Sequence, residues 1–62
     1  MTKFDYLMSL KAELKELRAR LETLKNSAPT KENLELVEAI TVRAKDLKVY
    51  IHHYATKYGM AA

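Results

Sequence analysis

Five cations stand out by their spacing. Lys11, Lys15, Arg18 and Lys25 recur at intervals of four, three and seven, and Lys48 lies level with them if the chain folds back on itself. Such a row would neutralise phosphates or meet an acidic protein surface. On a helix the row spans about 21 Å and is broken by Glu22. Its bland counterpart is a solvated face kept positive for solubility, with Glu16 and Glu22 one turn from Arg20 and Arg18.

A second group is aromatic. Tyr50, Tyr54 and Tyr58 recur every four residues, and Phe4 and Tyr6 lie beside them in a folded-back chain. With Lys3, Lys48, His52, His53 and Lys57 nearby, that end has the residue types that stack bases or clamp a partner. The competing reading is a bundle end closed by rings whose hydroxyls face water.

The remaining chemistry is sparse. His52 and His53 are adjacent, so on a helix they diverge by about 100° and share a metal poorly. Neither has a His, Asp or Glu three or four residues away in its own helix. There is no cysteine, hence no disulfide and no thiolate metal site. Ser9 and Ser27 have no base nearby, a single glycine rules out a glycine-rich phosphate loop, and the eight acids all fit helix-surface or first-turn roles. A non-enzymatic protein without cofactor, metal or small-molecule substrate is the expectation. A site built between subunits is the exception to keep in view.

The elements that would position these groups are two helices. Leu7, Leu10, Leu14, Leu17, Leu21 and Leu24 alternate at intervals of three and four. That is an unbroken a/d seam of period 3.5, as in a helix pressed lengthwise against another. The seam stops at Asn26-Ser27-Ala28-Pro29-Thr30, where Pro29 ends the helix and Thr30 can cap the next one. Val37, Ile40, Ala44, Leu47, Ile51, Tyr54 and Tyr58 then repeat the alternation. Acids come early in this segment and bases late, as the helix dipole favours, and Gly59 reads as the stop. The reading is all-α: one hairpin domain over 1–62, with helices at about 3–26 and 31–58, a loop at about 27–30 and a frayed tail at 59–62.

A short loop favours antiparallel neighbours. In that arrangement facing residues keep a constant sum of residue numbers. Leu7 with Ile51, Leu14 with Ala44 and Leu21 with Val37 share one sum, and Leu10 with Leu47 and Leu17 with Ile40 share another that differs by one. The a layers face a, the d layers face d, and two independent seams stay in register from end to end. The same arithmetic sets Tyr6 opposite Tyr50 and Glu13 opposite Arg43, with Leu36 close by. This g side is apolar with one attractive pair, which suits a join. On the other side, Lys11, Arg18 and Lys25 share a face with Thr41, Lys48 and Ala55.

One contact line between two helices buries little. A 62-residue chain hides only about 60% of its unfolded surface, and scaffolds this small need disulfides, a metal, oligomerisation or very regular packing. Leu34, Leu36, Tyr50 and Ala55 flank the second seam, and Val42 and Val49 lie on its back. The expectation is a dimeric four-helix bundle of coiled-coil type, sealed by Leu7 to Leu24 and Val37 to Tyr54. Length, hairpin form and a-on-a, d-on-d layering resemble the small plasmid-encoded Rop-type dimers, which bind paired RNA loops. The resemblance is architectural, covers the whole chain, carries no residue over, and implies RNA as a partner by analogy of fold.

A net charge of +3 with pI near 9.3 permits a nucleic-acid partner without requiring one. No apolar run nears the ~20 residues of a membrane span, and the first residues contain no signal-peptide core. The functional expectation is a cytoplasmic interaction module that self-associates and offers Lys11, Lys15, Arg18, Lys25 and Lys48 to a macromolecule. Alternatives are a small RNA- or DNA-binding regulator and a small inhibitor or adaptor docking on another protein.

Overall fold

The computed structural model describes residues 2–60. Two helices, α1 (Lys3–Lys25) and α2 (Lys31–Lys57), pack against each other as an antiparallel hairpin 42 Å long and about 16 Å across.

Local chemistry sets each boundary. Thr2 and Asp5 form a capping box: the Thr2 hydroxyl accepts from the Asp5 amide at 3.0 Å, and the Asp5 carboxylate accepts from the Thr2 amide at 3.4 Å. α1 ends where Asn26 caps it and Pro29 approaches. The Ser27 hydroxyl donates to the Thr23 carbonyl at 2.9 Å and the Ser27 amide to Leu24 at 3.1 Å. Thr30 starts α2 by accepting from the Asn33 amide at 3.1 Å, while the Asn33 side chain donates back to the Ala28 carbonyl at 2.8 Å. Asn33 thus ties the loop to the helix it precedes.

The C-terminal end is a Schellman motif. Gly59 takes φ 67°, the left-handed conformation that costs glycine nothing. The Met60 amide donates to the Ala55 carbonyl at 2.8 Å and the Gly59 amide to Thr56 at 3.3 Å. The accompanying apolar contact is made too, because Met60 packs against the core. Met60 is therefore docked, where the sequence had suggested a frayed tail. Ala61 and Ala62, the rest of that tail, lie outside the described residues.

The core is lopsided. Leu7 (2% exposed), Leu14, Leu47, Ile51 and Ala55 (0%) are the buried side chains, and Leu10, Leu17, Ala44, Tyr54 and Met60 pack around them. The buried ones lie at the midpoint of the hairpin or toward the chain termini, and Leu17 alone of the ten falls in the loop half. At the loop end Leu21, Leu24, Val37 and Ile40 are only half-buried. Ala55, which the sequence reading set on the flank of the seam beside Lys48, is fully buried there. Its methyl is small enough to be covered completely at the end where Met60 turns back.

Candidate interaction surface

The open side of the hairpin is the one that carries Tyr6, Glu13 and Arg20 of α1 and Leu36, Arg43 and Tyr50 of α2. These are heptad g positions, flanking the d residues of both seams. The Arg43 guanidinium reaches the Glu13 carboxylate across the two helices at 3.3 Å. Both side chains are substantially exposed, so the pair contributes at most about 1 kcal/mol. Its main effect is spatial, dividing the face in two.

On the loop side of that pair lies an open apolar hollow of about 500 Å³, lined by Ala19, Arg20, Leu24, Leu36 and Ile40 with Glu16 and Thr23 at the edge. Leu36 remains 50% exposed at its rim. A smaller hollow of about 300 Å³, with Leu10 and Leu47 at its base, lies on the other side. Tyr6 and Tyr50 wall it, their hydroxyls 3.4 Å apart.

Behind this bridge the rings form a ladder. Tyr6 meets Tyr54 edge-on with centroids 5.1 Å apart, Tyr54 meets Tyr58 at 4.9 Å, and Tyr50 meets Tyr54 at 6.3 Å. The ammonium groups of Lys3 and Lys57 sit over the Tyr58 ring at 5.0 and 5.4 Å. Cations over a ring face are held by its quadrupole. The hydrogen bond with Tyr50, then burial and the neighbouring phenols, raise the Tyr6 hydroxyl above its ordinary value. Burial, followed by Tyr58 and Tyr50, raises that of Tyr54. Both phenols thus resist ionisation. Phe4 stays outside the ladder with 62% of its surface exposed.

The basic residues occupy other positions. Lys15, Arg18 and Lys25 are exposed along α1 and Lys48 is exposed on α2. Lys11 is half-buried and engaged in an interaction within the chain. The row belongs to the e and b positions, across the a/d seam from Tyr6 and Tyr50, so the two surfaces are separate. His52 and His53 are exposed with ring centroids 6.2 Å apart. Among the described residues, no cluster of three or more metal-ligating side chains exists, and no helix is long and apolar enough to cross a membrane.

Register arithmetic located the Tyr6–Tyr50 and Glu13–Arg43 contacts in advance. It missed the hollow, because a helical wheel shows which residues share a face but not how far two helices splay. The half-apolar loop-end positions Ala19, Leu36 and Thr23 were the available signal. Comparison with protein-family models, with curated proteins and with solved structures finds no match for this chain.

Proposed function

We propose that this hairpin is a non-enzymatic, cytoplasmic interaction module. It self-associates through its g side into a four-helix bundle and presents the row containing Lys15, Arg18, Lys25 and Lys48, with Lys11 beside it, to a polyanionic macromolecule. The observation that carries the reading is the hollow lined by Leu24, Leu36 and Ile40, continuous with a half-buried seam. Apolar surface left open along a seam is what association covers. Sedimentation equilibrium across protein concentration tests the self-association. A dimer at micromolar concentration is expected, and a well-folded monomer there overturns it.

RNA or DNA is the polyanion the exposed cations favour, since phosphate neutralisation needs charge and little shape. Titration of a labelled single-stranded RNA at two salt concentrations checks this. Binding should fall steeply with salt and drop at least about tenfold on combined reversal of Lys15, Arg18 and Lys48 to Glu. Binding indifferent to salt removes the nucleic-acid assignment. An adaptor role is favoured by a different observation: Val42 and Val49 are 55% and 52% exposed on the back of α2. In that case paired substitution of the two valines, and not of the lysines, abolishes capture of the target protein.

A further inference from the structure

We infer that the occupant of the loop-end hollow is the tyrosine end of a second copy of this chain, docked head to tail. The inference rests on the self-association proposed above and adds its geometry.

The g positions are spaced so that the face matches itself. Tyr6, Glu13 and Arg20 follow at sevens along α1, and Leu36, Arg43 and Tyr50 follow at sevens along α2. A twofold axis lying across the face at the Glu13–Arg43 layer exchanges Tyr6 with Arg20 and Tyr50 with Leu36, and sets Glu13 and Arg43 each against its own copy, a like-charge contact between exposed groups that is screened by water. Each tyrosine bridge then sits over the partner's hollow. An isologous interface requires this kind of self-complementarity. The hollow suits the guest, because Leu24, Leu36 and Ile40 offer apolar walls to the rings, and Arg20 and Glu16 at its edge offer polar groups to the phenol hydroxyls. The molecule is 42 Å long and about 16 Å across, so one long side bounds a face of the order that each partner gives to an ordinary stable interface, about 800 Å².

The competing twofold runs along the helices and sets like end on like end. It would place Glu13 over the partner's Arg43, a favourable exchange. It would also gather Lys3 and Lys57 of both copies at one pole and leave the two hollows facing each other unfilled. The head-to-tail arrangement instead brings Lys57 of one copy near the start of the other's α2, where Glu32 lies in the first turn. Two exposed ion pairs gained, and the Glu13-on-Glu13 and Arg43-on-Arg43 contacts avoided, are worth little between solvated side chains and do not outweigh two empty apolar hollows and four clustered ammonium groups.

The test uses the full chain with Ala28→Cys, the only thiol present, carrying a nitroxide, and reads the label-to-label distance by pulsed electron resonance. Ala28 is exposed in the loop. Head-to-tail docking sets the labels at opposite poles, a separation close to the 42 Å molecular length. A distance under about 25 Å, on the order of two or three helix diameters, means like ends meet and overturns the inference while self-association stands. Absence of any dimer by sedimentation defeats both. As a second arm, Leu36→Arg should raise the dimer dissociation constant ~30-fold or more, as for a buried anchor. Val42→Arg, on the outer face, should leave it within a few fold. Helicity followed by circular dichroism confirms that both variants fold, and a Leu36→Arg dimer of undiminished affinity overturns the docking.

Discussion

Two residues of unlike character, Gly59 and Tyr54, set the chain-terminal end. Gly59 lets Met60 turn back and cover Ala55. No atom crowds the place where a Cβ would stand, so the cost of Gly59→Ala is conformational and about 1 kcal/mol. A lowered thermal midpoint with unchanged low-temperature helicity is the expected readout. Tyr6 and Tyr54 make the same end sensitive to alkali. Both hydroxyls have folded-state values above the ordinary value of 10.0. The folded chain therefore holds these protons longer than the unfolded one. Their contribution to stability is fully present below pH 10 and is lost as pH rises through the folded-state values. Melting followed from pH 8 to 12 should show that loss, and Tyr54→Phe should flatten it. The Tyr6–Tyr50 contact was legible from heptad arithmetic because both residues lie on regular helix. The burial of Ala55 was not, because it depends on a chain reversal at Gly59 whose packing no periodicity encodes.

Each helix is defined by its caps and by the layers it shares. Thr2 with Asp5 and Thr30 with Asn33 fix the starts, and the a/d alternation fixes which stripe turns inward. These signals are local and periodic, so the existence, direction and register of the helices could be read from the chain. Packing density along the seam could not. Leu21 and Leu47 are both leucines of the a/d seam, yet one is half-buried and the other is 4% exposed. The difference arises from helix separation, a tertiary quantity. Leu47→Ala should cost about 3 kcal/mol, while Leu21→Ala in the undimerised hairpin should cost under about 1.5 kcal/mol. Urea midpoints at low protein concentration give both values. If dimerisation closes the loop end, the Leu21→Ala penalty grows with protein concentration.

At the scale of the whole molecule, the seam and the cations divide the labour by face. In the proposed dimer, association would cover apolar surface on the g side and leave the basic row available on the e and b side. The two activities should respond differently to ionic strength. Exposed pairs of the kind proposed between Lys57 and Glu32 of two copies would add little to dimer affinity, whereas polyanion binding depends on released counterions. Raising salt from 50 to 200 mM should leave the sedimenting mass unchanged while weakening RNA binding by an order of magnitude or more. The basic row could be read from residue types alone. Its separation from the tyrosine face required the register of both helices.

The lopsided core also bears on how the hairpin forms. The pairs nearest the loop, such as Leu21 with Val37, are cheap to bring together in chain entropy but gain little burial. The best-covered layer, Leu7 with Ile51, closes a loop of more than forty residues. Zippering outward from Pro29 therefore meets its weakest layers first and its strongest last. A half-closed hairpin has no foothold of its own, and the chain should collapse from open to shut in one step, with a transition state in which the distant ends have already met.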